Sequence, residues 1–379
     1  MHKSRIPLAR PSITNKEIHN IIKVLKSGHL SSGKKVKEFE REFADYIGVK
    51  FALAVNSCAS ALQIAILVSD LKGEIILPSF TFVASANAII NAGCIPIFGD
   101  VDSDTRNIDF RSIEEKITKN TVAIMPVHFA GLSCSMDKIT AIAKKHNLTV
   151  IEDSAEAIGA QYKGRKTGSW GIGCFSFFPS KNITTGEGGM ITSNDEHFIE
   201  KARLLISHGI SRDSLSRAYP WYRNAICAGF NYRMTDMQAA LGLVQLSRLD
   251  ELNEKRRRNA FDLNSLLKEI DCIGLPVEPK GYRHVYQMYT IRLDSQRVCR
   301  DKLVLYLRDQ NIEASVHFVP PVHLCSFFKN SSCGKYSLPV TERLSSTIIT
   351  LPMYPQLAKS DLRRISSVLK RGLKYFCKL

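Results

Sequence analysis

The sequence predicts an α/β protein: a large domain on a mostly parallel sheet covered by helices, then a smaller C-terminal α/β domain. Two observations lead there. Over the first half of the chain, short β-rich runs alternate with segments of helical apolar spacing, the pattern that builds parallel sheets. Beyond residue 252 the pattern becomes shorter and mixed. Residues 1–252 are therefore assigned to the large domain and 253–379 to the small one.

The strand candidates are Phe51–Val55, Glu74–Leu77, Ile95–Val101, Val122–Val127, Thr149–Glu152, Cys174–Phe178 and Met190–Thr192. Helical spacing covers Val36–Tyr46, Ser60–Val68, Val83–Asn91 and Met136–His146 between them. Thr235-Asp236-Met237-Gln238 has capping-box form and opens a long helix running through Leu241, Val244, Leu246 and Leu249 into Leu252. In the second domain, Val285–Leu293 and Thr347–Leu351 read as strands. The tail places Leu362, Ile365, Leu369, Leu373 and Phe376 at helical spacing, with Ser360 as the N-cap and a basic outer face.

Composition bounds the function. With 44% hydrophobic and 23% charged residues over 379 positions, the chain buries a large core and is neither disordered nor coiled coil. No stretch reaches the ~20 apolar residues of a membrane helix. The start, Met1 to Pro11, has no signal-peptide core, so a cytoplasmic protein is expected. Ten cysteines stand singly, none in CxxC spacing, which speaks against structural zinc and for buried reduced thiols. The net charge of +16 points to an anionic partner. Much of the excess lies in Lys255-Arg256-Arg257-Arg258 and in the tail; no nucleic-acid-binding motif accompanies it.

Ligands of parallel sheets gather beyond the carboxyl ends of the strands, and three segments there carry chemistry. At Asn56-Ser57-Cys58-Ala59-Ser60 a strand gives way at once to a helix, whose N–H groups form a phosphate seat; Ser57 reads equally as an ordinary N-cap. At Glu152-Asp153-Ser154-Ala155-Glu156 an apolar strand delivers carboxylates. A buried one needs a cation or dense hydrogen bonding, and a loop anchor is the competing reading. At Phe175-Ser176-Phe177-Phe178-Pro179-Ser180-Lys181 a lysine among aromatic side chains precedes the glycine turn Thr185-Gly186-Glu187-Gly188-Gly189. Such an amine suits imine chemistry, and Ser176 is spaced to bond a phosphate.

Together the three segments match pyridoxal phosphate binding. The chain resembles the DegT/StrS family of sugar aminotransferases, in the aspartate aminotransferase superfamily. The likeness runs from Ile6 to about Pro355 and includes Ser27 through Gly33, Leu77 through Ala84, Glu152 through Ala157, Ser176 through Gly189 and Gly229 through Asp236. It implies fold type I, with a seven-stranded, mostly parallel sheet in the large domain. It implies that Lys181 holds pyridoxal 5′-phosphate as an imine and moves the proton during transfer. Asp153 would pair with the ring nitrogen, and Phe82 would stack on the ring. Ser57, Cys58, Ala59 and Ser176 would hold the phosphate. Asn231 would reach the cofactor of a second subunit, making a homodimer with shared active sites.

Two departures from the family pattern stand out. Ala59 replaces a usual Thr, removing a hydroxyl worth about 1 kcal/mol. Glu156 stands where many relatives have Gln near the ring hydroxyl and resembles the perosamine-synthase branch, which aminates C4 of a nucleotide-linked 4-keto-6-deoxy sugar. Substrate candidates are Ser31, His208, Arg212 and His317. The loop after His208 carries Arg217, Tyr219, Trp221, Tyr222 and Arg223 and would gate the site. His317 and His323 flank Pro320-Pro321 near the substrate. His128 reads as structural. No metal is expected.

The resemblance thus implies an aminotransferase that takes nitrogen from L-glutamate and gives it to a keto sugar on a nucleotide, for surface glycan or antibiotic sugar synthesis. Amination at C3, a keto-cyclitol acceptor, and a cofactor-fold binding protein without turnover remain as alternatives. Neither nucleic acid nor membrane is an expected partner.

Overall fold

The computed structural model describes residues 4–211, 218–219, 221–294, 298–330 and 336–376. Its main sheet has seven strands: β1 (Phe51–Val55), β2 (Glu74–Pro78), β3 (Ile95–Gly99), β4 (Thr121–Ile124), β5 (Thr149–Asp153), β8 (Ile172–Ser176) and β9 (Gly189–Ser193). The short pair β6 (Gln161–Tyr162) and β7 (Arg165–Lys166) lies apart, extended by β11 (Tyr282–Arg283). The order is β1-β9-β8-β5-β4-β2-β3. Only β9 runs antiparallel to its neighbours. Its first residue, Gly189, therefore pairs with the last residues of β1 and β8, Val55 and Ser176.

Two-residue side-chain alternation makes the sheet the middle of three layers. Leu53, Val55, Cys174 and Ile191 pack with α3 (Cys58–Val68), α4 (Val83–Asn91) and α7 (Glu196–Leu205) through Ile64, Ile89 and Ala202. Ala52, Ala54, Phe175 and Met190 face the other way, onto Phe39 and Phe43 of α2 (Lys34–Ile47). Toward the far edge, Ile76 and Ile124 meet α6 (Met136–His146). Helix α1 (Asn15–Ser27) carries a capping box from Thr14 and Glu17 and stops at Gly28, where φ is +72°.

The capping box at Thr235 forms as expected, opening α8 (Asp236–Ser247). The helix is shorter than its pattern suggests. At Arg248 (φ −107°, ψ −1°) the backbone breaks, and α9 (Leu249–Leu267) begins. The Arg248 guanidinium is committed to Ser12 and Glu17 at the start of α1, so its side chain ties the break to another segment. Helix α9 crosses the expected domain limit: Leu249 and Leu252 pack with the sheet, while Ala260, Leu263 and Leu267 pack in a second core.

That second core joins Ile6, β12 (Tyr289–Leu293), β13 (Ile348–Leu351), α10 (Arg300–Asp309) and α13 (Lys359–Phe376). The antiparallel sheet here is β10-β12-β13, with β10 at Ile273–Gly274. Leu362, Ile365, Leu369 and Leu373 of α13 are buried, as their spacing requires. Ser360 is not its N-cap, because the helix starts at Lys359. Asp361 instead reaches back to accept the Ala358 N–H at 3.2 Å.

The middle basic run is not an open anion-binding patch. Arg256 is fully buried, Arg257 binds Glu278 at 2.8 Å, and Lys255 and Arg258 pair with Glu251 and Glu254 along α9. The cysteine expectation needs a similar correction. Cys58, Cys94, Cys134 and Cys174 are buried free thiols, but Cys227 and Cys299 are exposed, and Cys333 and Cys377 lie outside the described residues. Among the described residues no helix is long and apolar enough to cross a membrane, and no acidic, histidine or cysteine cluster suits a metal ion.

Candidate active site

The end of β1 meets the start of α3 through Ser57, whose backbone is extended (φ −166°, ψ 161°). Its Oγ accepts the Ser60 N–H at 3.1 Å, as an N-cap does. The helix itself supplies no acceptor for the N–H groups of Cys58 and Ala59, and its dipole makes this end attractive to an anion. Gly189 allows the approach of β9. A Cβ there would lie 2.5 Å from the Ser57 carbonyl carbon and 2.8 Å from the Cys58 nitrogen. The Asn56 N–H donates to the Tyr232 carbonyl at 2.8 Å, which brings the segment holding Asn231 alongside.

Asp153 ends β5 and is almost fully buried. Ser85 donates its hydroxyl to Oδ2 at 2.7 Å, and the Ala155 N–H donates to Oδ1 at 3.1 Å. Burial raises the carboxyl above its usual range. The Ser85 and Ala155 hydrogen bonds oppose this, Glu156 adds to it, and nearby Lys181 pulls back. No ion pair is made to Asp153 among the described residues. A cationic ring nitrogen is the kind of partner this buried carboxylate lacks.

Lys181 follows β8 in the turn that Pro179 opens, and its N–H donates to the Phe178 carbonyl at 2.9 Å. Its amine is largely buried and lies 3.5 Å from Glu156 Oε1. The other Glu156 oxygen accepts the Ala130 N–H at 2.8 Å, so the carboxylate is held from behind. Ser176, at the end of β8, is buried. Phe82, at the N-cap position of α4, is 62% exposed, which leaves an apolar face free to cover a planar ligand. His317 bonds Thr350 Oγ1 at 2.8 Å. Burial lowers its pKa, with Glu156 raising it and Lys181 lowering it, so it senses both groups.

The sequence-derived candidates thus converge in part. Lys181 and Glu156 touch, Asp153 and His317 stand within their electrostatic reach, and Ser57, Cys58 and Ser176 adjoin Gly189. Cys58 Sγ lies 4.0 Å from Asp153 Oδ1. Ala59 is exposed in the first turn of α3. Ser31, His208 and Asn231 are exposed, with no hydrogen bond or ion pair to Lys181, Asp153 or Glu156 among the described residues. Arg212 and Arg217 lie outside the described residues, while Tyr219, Trp221 and Tyr222 are exposed.

His128 is structural. Its Nδ1 accepts the Cys134 N–H at 3.0 Å, so Nε2 carries the hydrogen and donates to Glu152 at 3.0 Å. Glu152 also accepts N–H groups of Gly168, Trp170 and Gly171, which makes it the loop anchor beside Asp153. His323 is tied to Ser79 at 2.6 Å and Glu342 at 3.4 Å.

The chain matches the DegT/DnrJ/EryC1/StrS aminotransferase family over residues 11–370. It belongs to that family. It is 39% identical to the GDP-perosamine synthase of Caulobacter vibrioides over 375 residues, covering 97% of this chain and 98% of that one. It is 38% identical to the spore coat polysaccharide biosynthesis protein SpsC of Bacillus subtilis, covering 97% of each. The solved protein Spr1654 of Streptococcus pneumoniae, in its PLP form, superposes with a TM-score of 0.91 at 27% identity over 98% of this chain and 99% of that one. Enzymes of this family are pyridoxal 5′-phosphate aminotransferases acting in sugar biosynthesis, and the fold type I architecture agrees. The unpaired buried carboxylate, the largely buried amine, the bare aromatic ring and the helix N-terminus form a donor set that fits this cofactor.

Three contributors escape a reading of the sequence. Ser85 holds Asp153 from 68 residues away. Ala130 pins Glu156 through its backbone. Arg256 donates to the carbonyls of Lys181 (3.5 Å), Gln287 (3.2 Å) and Met353 (2.9 Å). Only its place among basic neighbours marked Arg256, and that mark pointed to the surface.

Proposed function

We propose that this aminotransferase moves an amino group from L-glutamate to C4 of a 4-keto-6-deoxy sugar carried on a nucleotide diphosphate, as a homodimer with shared sites. The observation that carries the reading is a pair of groups within electrostatic reach of one another: a largely buried lysine amine 3.5 Å from Glu156, and a buried Asp153 carboxylate that makes no ion pair among the described residues. The named activity of the Caulobacter relative and the Glu at position 156 favour C4. The net charge of +16 suits a diphosphate substrate.

Bound pyridoxal 5′-phosphate supplies the electron sink through which nitrogen leaves one carbon skeleton and enters another. Lys181 is the group that holds the cofactor and carries the proton at Nζ. Glu156 orients that amine and stays oriented through the Ala130 N–H. Asp153 presents the negative charge that keeps a ring nitrogen protonated. Ser57, Ser176 and the N–H groups of Cys58 and Ala59 bind phosphate, and Phe82 covers the ring. Asn231, exposed beside this seat, reaches the phosphate in the second subunit. His317, Ser31 and His208 are assigned to the sugar nucleotide, together with Arg212, which lies outside the described residues.

The test is to add L-glutamate to purified, cofactor-loaded protein, then a panel of nucleotide keto sugars. The expected result is loss of the cofactor's near-ultraviolet to visible band with release of 2-oxoglutarate, followed by an amino sugar substituted at C4. An unchanged spectrum overturns the donor, and a product aminated at C3 overturns the position.

A further inference from the structure

The first turn of α4 carries a serine one position beyond the Leu77–Ala84 segment. Phe82 is the N-cap of this helix, and Ser85 is its third residue. Ser85 is 1% exposed, Thr81 3% and Asp153 4%. Three oxygens surround the Ser85 hydroxyl: Asp153 Oδ2 at 2.7 Å, Thr81 Oγ1 at 3.0 Å and the Phe82 carbonyl at 3.2 Å. A hydroxyl has one hydrogen to give. The carboxylate is both nearest and charged, so it takes that hydrogen. Thr81 then donates to Ser85, and a chain of two hydroxyls ends on Asp153.

We propose that Ser85, backed by Thr81, is a positioning residue that keeps the Asp153 carboxylate ionised and aimed, so that Asp153 can hold the cofactor's ring nitrogen protonated. This rests on the pyridoxal-phosphate reading above. The geometry supports it in two further ways. Among the described residues Ser85 gives Asp153 its one hydroxyl donor, the others being the Ala155 N–H and the distant Cys58 thiol. Asp153 also lies between the N-termini of two helices, with Cys58 opening α3 and Ser85 in the first turn of α4, where the helix dipoles favour an anion. Burial works in the opposite direction and on balance raises the carboxyl, so the hydroxyl donor is what holds that rise in check. The turn from Thr81 to Ser85 also contains Phe82, so ring cover and ring charge are set by one short stretch of backbone.

The experiment uses holoenzyme reconstituted with cofactor labelled with nitrogen-15 at the ring, in the wild type and in Ser85→Ala, Ser85→Thr and Thr81→Val. The ring-nitrogen chemical shift is measured with kcat and the KM for glutamate. Wild type is expected to show a protonated ring nitrogen. Ser85→Ala is expected to bind cofactor but shift toward the unprotonated value, with kcat down about tenfold, which corresponds to ~1.4 kcal/mol, and KM little changed. Ser85→Thr keeps a hydroxyl and is expected to restore both. Thr81→Val is expected to shift the nitrogen the same way by less, and it decides the matter should Ser85→Ala not fold. A wild-type nitrogen shift in Ser85→Ala, or in Thr81→Val where that variant decides, overturns the proposal and leaves the function standing. An equal deficit in Ser85→Thr also overturns it. A wild-type protein that ignores glutamate overturns the function itself.

Discussion

Gly189→Ala tests how the phosphate seat is built. The added Cβ would sit 2.5 Å from the Ser57 carbonyl carbon, 2.6 Å from its oxygen and 2.8 Å from the Cys58 nitrogen. Ordinary contact begins at 3.4 Å, so about 0.9 Å of space must be found. The atoms in the way are backbone and cannot rotate aside. β9 is also held on both sides, since Gly189 pairs with Val55 and with Ser176. The first turn of α3 has to give, and its Cys58 and Ala59 N–H groups move with it. Overpacking of this kind costs roughly 1–3 kcal/mol, and misaligning two donors costs about 1 kcal/mol each. Cofactor binding should therefore weaken about tenfold to a hundredfold. The assay strips the cofactor and titrates it back by absorbance, while circular dichroism follows the unfolding midpoint. Wild-type affinity in the variant, whatever happens to the midpoint, would refute the claim that Gly189 shapes the seat.

Other expectations follow from the same geometry. Lys181→Ala should abolish turnover, by on the order of a thousandfold or more, with the fold intact by circular dichroism; measurable transamination would remove Lys181 from the proton transfer. Asp153→Asn should lower kcat on the order of a hundredfold yet stabilise the cofactor-free protein at neutral pH. Burial raises the Asp153 carboxyl, so the folded state binds its proton more tightly than the unfolded state, and stability is lost as pH rises through that raised value. A lower midpoint for the cofactor-free Asn variant would contradict this. His284 is buried beside Arg106 and Arg257, and burial above all pushes its pKa down to about 3. Between the usual 6.5 and that value the unfolded chain takes a proton that the folded one refuses, so stability should fall as the solution is acidified. His284→Gln should flatten that part of the unfolding-against-pH curve, and an unchanged slope would assign the loss to other groups.

How far the sequence could be read depended on the range of the forces involved. Strands such as Phe51–Val55 and helices such as Val83–Asn91 and Met136–His146 follow from patterns within a dozen residues, and these match residue for residue. The Lys181 block stands out because lysine, serine and glycines lie close together in the chain. What stayed hidden was mostly long-range. Nothing near Ser85 announces that it reaches Asp153. The break at Arg248 is invisible in an unbroken helical pattern, because its anchors lie at Ser12 and Glu17. Glu152 and Asp153 look alike as neighbours, yet strand alternation turns one toward the Gly168–Gly171 loop and the other toward Ser85. The error at Ser360 was local: the helix begins two residues sooner, at Lys359, and Asp361 takes the Ala358 N–H.

Arg256 closes the account with a constraint on inheritance. Among the described residues its buried guanidinium has no counter-ion, and its terminal nitrogens donate to carbonyl oxygens from three separated stretches of chain, at Lys181, at Tyr286 and Gln287, and at Met353. Two of those stretches are downstream of the helix that carries it, and the third is the backbone of Lys181. A hybrid made by grafting the C-terminal third of a relative onto this chain would thus have to match four oxygens to one rigid fork. Neither half can drift freely while the other stays still.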